Sequence, residues 1–191
     1  MSNNHVVIVH GAYGSPEEAW FPWLASKIRE LGYRVSVPKL PTPEGQTLDN
    51  WLQVFNEQVK DLDSEAILVG HSIGATFILR KVATLENQIK ACFLVSGFMH
   101  FLGNEKFDQI NKSFVEKDVD WALIRSKCQN FFMYNSDNDP YVPLKFGEEV
   151  AQHLQIKLNV VHNGGHISTS AGYLEFPQLL DDLKKILPKH V

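Results

Sequence analysis

The sequence predicts an α/β domain with a parallel sheet and right-handed crossovers. Three observations carry this. Six short runs of four or five residues, rich in apolar and β-branched side chains, are separated by segments of helical periodicity. Most of these runs are continuous rather than alternating, as strands buried on both faces are. A chain of 191 residues suits one domain with a sizeable core, spanning 1–191, and it contains no internal repeat, linker or low-complexity segment.

His5 to Val9 reads as the first strand, followed by the loop His10-Gly11-Ala12-Tyr13-Gly14. Ser15-Pro16-Glu17-Glu18 then reads as a helix start, with Ser15 as cap, Pro16 at the first helical position and Glu18 completing a capping box. Trp20, Trp23, Leu24, Ile28 and Leu31 share a face of that helix, and Gly32 ends it. Arg34 to Val37 is the second strand, and the three prolines between Pro38 and Gly45 stiffen the loop after it. Thr47 is the expected N-cap of a helix in which Leu48, Trp51, Leu52, Phe55, Val59 and Leu62 recur at helical spacing.

Ala66 to Val69 is the third strand. It runs into Gly70-His71-Ser72-Ile73-Gly74 and then a helical pattern from Ala75 to Leu85. Ala91 to Val95 is the fourth strand. From Ser96 to Lys127 the periodicity blurs. Phe98, Met99, Phe101, Leu102 and Phe107 form an aromatic-rich stretch, and Asp120 to Ser126 reads as a short helix with Trp121 and Ile124 inward. This region fits surface packing and a small lid or pocket wall equally well. Asn130 to Tyr134 is the fifth strand, and a helix from Leu144 to Leu154 uses Phe146, Val150 and Leu154. Lys157 to Val161 is the sixth strand, and Leu174 to Leu187 the last helix, on Leu179, Leu180, Leu183 and Leu187.

Composition narrows the partners. A net charge of −4 without a basic cluster gives no nucleic-acid footprint. No apolar run approaches the ~20 residues that span a bilayer, and no basic, then apolar leader precedes the first strand, so no signal peptide is expected. Cys92 and Cys128 lack metal-ligand spacing, which points to free thiols in a reducing cytoplasm. A protein partner is not indicated.

Gly70-His71-Ser72-Ile73-Gly74 is a G-x-S-x-G pattern between a strand and a helix, the setting of a nucleophile elbow. In such a turn the serine takes a strained backbone and its Oγ stands exposed above the sheet. A serine hydroxyl needs a base, and histidine, with a pKa near ~6.5, suits that task. A carboxylate behind the histidine fixes its tautomer and stabilises the imidazolium.

Position sorts the eight histidines. His71 sits inside the turn with its side chain expected to point away, and His10 is expected to support the first loop. His5, His100, His153 and His190 read as structural or solvated. His162 and His166 follow the last strand. His166, behind Gly164-Gly165, has the looser loop with which to reach Ser72 and is the preferred base, with His162 the alternative. Asp139 is the preferred acid because Asp139-Pro140-Tyr141-Val142-Pro143 makes a rigid loop after the fifth strand, although Asp139 also suits a helix cap. Asp137 is the alternative. The backbone N–H of Ile73, with that of Ala12 or Tyr13, would hold an oxyanion. Tyr13, Phe98, Met99 and Phe101, with Trp20 and Trp23, are the candidate pocket wall.

Over nearly its whole length the chain resembles the α/β-hydrolase superfamily. It is most similar to the small single-domain serine hydrolases related to retinoblastoma-binding protein nine and bacterial YdeN. The resemblance rests on HGAYGSPEEAWFPWL, VPKLPTPEG, ILVGHSIGA, SDNDPYVP and GGHIS. It implies a compact six-stranded parallel sheet in the order 2-1-3-4-5-6, with helices on both faces and little or no cap domain. It also implies a triad of Ser72, Asp139 and His166 and activity on ester-like substrates. The His-Gly form of the first loop departs from a polyglycine loop and leaves the exact oxyanion amide open. The expected function is hydrolysis of small carboxylic esters or thioesters through an acyl-serine, with no metal or organic cofactor. The alternatives are a protein-binding module on the same fold and triad-based peptidase or lyase chemistry.

Overall fold

The computed structural model describes residues 5–187. Six strands form one sheet: β1 (His5–Val9), β2 (Arg34–Ser36), β3 (Ile67–His71), β4 (Ile89–Val95), β5 (Cys128–Ser136) and β6 (Leu158–Val161). Their order is β2-β1-β3-β4-β5-β6 and every pairing is parallel, as the sequence predicts. The helices are α1 (Phe21–Glu30), α2 (Leu48–Gln58), α3 (Ile73–Val82), α4 (Glu105–Val115), α5 (Trp121–Ser126), α6 (Leu144–Leu154) and α7 (Pro177–Ile186). Among the described residues no helix is long and apolar enough to cross a membrane.

The strands are apolar throughout because both faces are covered. Val7, Val9, Leu68, Cys92 and Leu94 pack with Trp51 and Phe55 of α2, Phe77 of α3, Phe114 of α4 and Val150 of α6. Their neighbours Val6, Ile8, Val69, Phe93 and Val95 turn to the other face, against Leu24 and Ile28 of α1 and Leu179 and Leu183 of α7. This period of two sorts each strand between two cores. Each fully buried Leu, Ile or Phe contributes about 1.5–3 kcal/mol.

Thr47 caps α2, its side chain accepting from Asn50 N–H at 3.3 Å, and α6 has the predicted bounds. Helix α2 ends at Gln58, short of Val59 and Leu62, and α3 runs from Ile73 to Val82 where Ala75 to Leu85 was expected. Three other helices depart further. The capping box at Ser15 does not form. Ser15 Oγ instead accepts from Glu17 N–H at 3.3 Å within a turn, Ala19 takes φ +49°, and its N–H leaves for Thr169 Oγ1 at 2.9 Å. The helix starts only at Phe21, where Pro22 occupies the first turn. Helix α4 escaped the sequence reading because a buried asparagine, Asn111, interrupts its apolar stripe of Phe114 and Val115. Asn104 caps it by accepting from Phe107 N–H at 3.3 Å. Arg80 of α3 secures its far end, with Nε donating to Phe114 O at 2.8 Å and its other guanidinium nitrogens to the carbonyls of Lys117 and Asp118. Helix α7 begins at Pro177, which leaves Leu174 outside it and 61% exposed.

The β3–α3 turn is the tightest point of the fold. A Cβ on Gly70 would lie 2.6 Å from Gly74 O, and one on Gly74 would lie 2.4 Å from His10 O and 2.6 Å from Val9 O. These atoms are backbone and have little room to retreat. Gly74→Ala should therefore cost about 3 kcal/mol. Gly103→Ala, with open space around it and only its φ of +77° against it, should cost about 1 kcal/mol. Urea unfolding of both variants checks this, and equal losses would show that close approach is not what Gly74 provides.

Candidate active site

The carboxyl ends of β1, β3, β5 and β6 carry the loops that meet over the sheet. Between them lies a cavity of about 580 Å3 bordered by residues of all four loops, Ser72 and His166 included. Ser72 directly follows β3, with φ +56° and ψ −125°. A non-glycine residue in that region costs about 1–3 kcal/mol and persists only where its surroundings impose it. Here the imposition comes from the glycine contacts below it and from Ser72 N–H, which donates to Val95 O at 2.8 Å.

His166 and Asp139 meet. His166 Nδ1 lies 2.7 Å from Asp139 Oδ2, and the two side chains are 12% and 0% exposed. The other oxygen, Asp139 Oδ1, accepts from the N–H groups of Tyr141 at 2.9 Å and Val142 at 3.0 Å. The carboxylate is thereby satisfied as an acceptor-only group, and Nδ1 of the imidazole must be the protonated nitrogen. The two alternatives also meet, but with each other. His162 Nδ1 lies 2.6 Å from Asp137 Oδ2, with the imidazole 79% exposed, and neither residue borders the cavity. The Asn163 N–H and His162 hold the Asp137 carboxyl below its ordinary range.

The two loops are cross-braced. Asn163 N–H donates to Asp137 Oδ1, Gly164 N–H to Ser136 Oγ and Gly165 N–H to Asn138 Oδ1, at 2.8, 2.9 and 2.8 Å. Behind His166, its carbonyl accepts from His71 Nε2 at 2.8 Å and from Ser96 Oγ at 3.3 Å. His71 was expected to point away from the site, and it does not. It borders the cavity and packs among Trp20, Phe21 and His166. Ser136, Asn138 and Ser96 carry no sequence signal that separates them from ordinary loop residues.

Of the two candidate amides in the first loop, Tyr13 N–H is taken, donating to Thr42 Oγ1 at 2.7 Å. Ala12 N–H and Ile73 N–H have no acceptor among the described residues. His10 supports the loop as expected. Leu40 N–H donates to its Nε2 at 3.0 Å, so Nδ1 carries the proton and donates to Gly11 O at 2.8 Å.

Tyr13 borders the cavity; the other expected wall residues do not. Phe98 is buried in the core, where its carbonyl accepts from Thr76 Oγ1 at 2.5 Å. Met99 faces a separate groove beside His100 and Trp121. Phe101 is 47% exposed, Trp20 is sealed in the core with Nε1 donating to Ile167 O at 3.0 Å, and Trp23 packs along α1. The wall is built instead from Leu102, Phe107 and Tyr141, with Phe21 deeper. Tyr13, Phe107, Tyr141 and His166 form a chain of edge-on rings 5.1–6.1 Å apart. Among the described residues Glu18 is the one carboxylate bordering the cavity, and no lysine or arginine borders it. His190 lies outside the described residues.

Residues 6–185 match the family model of serine hydrolases. The chain belongs to the serine hydrolase family. Family membership makes it a hydrolase, and its fold is that of the α/β-hydrolases. This serine hydrolase is 29% identical over 186 residues to YdeN of Bacillus subtilis (strain 168), covering 96% of each chain. It is 28% identical over 189 residues to the serine hydrolase RBBP9 of Rattus norvegicus, covering 97% of each. The crystal structure of the B. subtilis ydeN product aligns with a TM-score of 0.89 at 28% identity, covering 96% of this chain and 98% of that one.

Burial of imidazoles gives the hydrolase an acid-sensitive stability. Desolvation, then the nearby His166, lowers the His71 pKa from 6.5 to about 3. Desolvation, then Arg34, lowers that of His5 to about 4, and burial lowers that of His10. Below the ordinary value the unfolded chain takes up protons that the folded chain refuses, so stability falls as the pH drops from 6.5 toward about 3. Unfolding free energies measured at about pH 7 and about pH 5 should show this loss. His71→Gln, which removes one titrating group, should show less of it; an unchanged pH slope would refute the assignment.

Proposed function

We propose that this protein cleaves small carboxylic esters or thioesters through an acyl-serine intermediate formed on Ser72. The observation that supports this reading is the His166–Asp139 pair, whose imidazole borders the cavity that Ser72 also borders while its carboxylate is buried behind it. With Nδ1 bound to Asp139, His166 offers Nε2 as the basic nitrogen.

The reaction follows from those roles. Ser72 Oγ attacks the substrate carbonyl carbon while His166 Nε2 takes its proton. The carbonyl π electrons move to oxygen, and the amides of Ile73 and Ala12 receive the charge. Tyr13 N–H, already bound to Thr42, is the weaker candidate for that task. Collapse of the tetrahedral adduct expels the alkoxide or thiolate, which takes the proton from His166. Water then attacks the acyl-serine, giving up a proton to His166, and the carboxylic acid leaves as Ser72 regains its own. Asp139 stabilises the imidazolium at both stages without taking a proton. The aromatic wall and the absence of lining cations suit a small uncharged acyl group. Two free, buried cysteines suit a reducing cytoplasm as the place of action.

A fluorophosphonate probe should label the wild type and not Ser72→Ala. Turnover of p-nitrophenyl acetate should vanish in His166→Ala and fall about 10³–10⁴-fold in Asp139→Asn. Asp137→Asn and His162→Ala should stay within about threefold of wild type. Equal labelling of Ser72→Ala, or a larger loss from the Asp137 change than from the Asp139 change, would defeat the assignment.

A further inference from the structure

The wall of the cavity contains one side-chain amide that the proposed chemistry does not use. Asn111 of α4 is 3% exposed and borders the cavity. It stands at the end of a polar chain that begins in the first loop. Tyr13 N–H lies 2.7 Å from Thr42 Oγ1, Thr42 Oγ1 lies 2.5 Å from Gln46 Oε1, and Gln46 Nε2 lies 2.7 Å from Asn111 Oδ1. Gln46 is itself only 5% exposed.

The direction of this chain is set by its first member. A backbone N–H can only donate, so Thr42 Oγ accepts there and has its single proton left for Gln46. Gln46 then accepts through Oε1 and donates through Nε2, which makes Asn111 Oδ1 the acceptor. The reverse orientation would leave the Thr42 hydroxyl proton without a partner, at a cost of about 1–3 kcal/mol if buried. Asn111 Nδ2 is therefore the outward end: a donor group with no protein acceptor among the described residues, and not one of the side-chain atoms sealed from the surface.

We propose that Asn111 Nδ2 is a substrate-recognition donor. It hydrogen-bonds an oxygen that the substrate carries in addition to its scissile group, so the preferred substrates are esters with a second acceptor: an ether, carbonyl or hydroxyl oxygen. A substrate that is purely alkyl at that point strips water from the amide and gives nothing back, which disfavours it. Gln46 and Thr42 are positioning residues, holding the amide in one orientation and tying α4 to the Tyr13 loop. Placing this selectivity within ester hydrolysis rests on the function proposed above; the recognition of the oxygen does not.

The test uses pairs of esters that differ by one oxygen in place of a methylene. p-Nitrophenyl methoxyacetate, 3-methoxypropanoate and 4-methoxybutanoate are paired with the butyrate, pentanoate and hexanoate. On the alcohol side, 2-methoxyethyl butyrate is paired with butyl butyrate. Comparing the ether-to-alkyl ratio of kcat/KM between proteins cancels intrinsic reactivity. In at least one pair the ratio should be about five- to tenfold higher in wild type than in Asn111→Leu. Asn111→Asp, which keeps the shape but removes the donor, should match the leucine variant and serves if that one fails to fold. Thr42→Val should lose part of the preference and Thr42→Ser should restore it. The same pairs titrated calorimetrically into Ser72→Ala, with and without the Asn111 change, give the ratio without turnover. Identical ratios in wild type and both Asn111 variants across every pair would overturn the proposal. Absence of turnover in wild type, with the binding ratio preserved, would defeat only the hydrolytic reading.

Discussion

The fold depends on how closely the β3–α3 turn can approach the end of β1. Gly74 rests against the carbonyls of Val9 and His10, and Gly70 against Gly74 itself. No side chain fits between them. That contact fixes the start of α3 and imposes the positive φ of Ser72. It also brings the first loop alongside, since even a Cβ on Gly11 would come 3.1 Å from Ser72 Cβ. The strain at residue 72 is therefore carried by neighbouring backbone, not by the serine's own contacts.

A second layer of constraint comes from polar groups packed around the His166 loop. His166 needs its imidazole placed to a fraction of an ångström, yet it lies in a loop with two glycines. The placement comes from both sides. Ser136, Asp137 and Asn138 accept three successive N–H groups of that loop, and His71 and Ser96 hold its carbonyl. A flexible sequence becomes a defined loop because most backbone groups between Asn163 and Ile167 have a partner.

The strands themselves and the helices with clean amphipathic spacing were legible in the sequence, because both faces of the sheet demand apolar residues; the strand order followed from the family resemblance. What was lost has physical causes. Two prolines compete to start α1, and the tertiary bond from Ala19 to Thr169 decides against the earlier one. Helix α4 hides behind a buried amide that breaks its stripe. For the candidate site, the loops named from the sequence do meet over one cavity, but of the rings named as its wall only Tyr13 lines it. Aromatic composition marks a segment as near the cavity without saying which ring turns toward it, so Phe98 and Phe107 look alike until α4 is in place. The two aspartate–histidine pairs look alike as well. Burial separates them, with His162 79% exposed and His166 12%, and burial depends on the whole fold.

Helix α4 is joined to the rest differently from the strands. Its docking relies on Phe114 in the core, on Arg80 reaching its terminal carbonyls, and on two bonds, from Gln46 Nε2 to Asn111 and from Leu48 N–H at the start of α2 to Ser113. It contributes no strand to the sheet, though its Phe114 is buried in the core on one face of it. Helix α4 thus supplies part of the cavity wall, Phe107 and Asn111, while Ser72 and His166 border the cavity from the loops of the sheet. A descendant that exchanged this one segment, keeping its anchor points, would reshape that part of the wall and leave the sheet and its loops as they are.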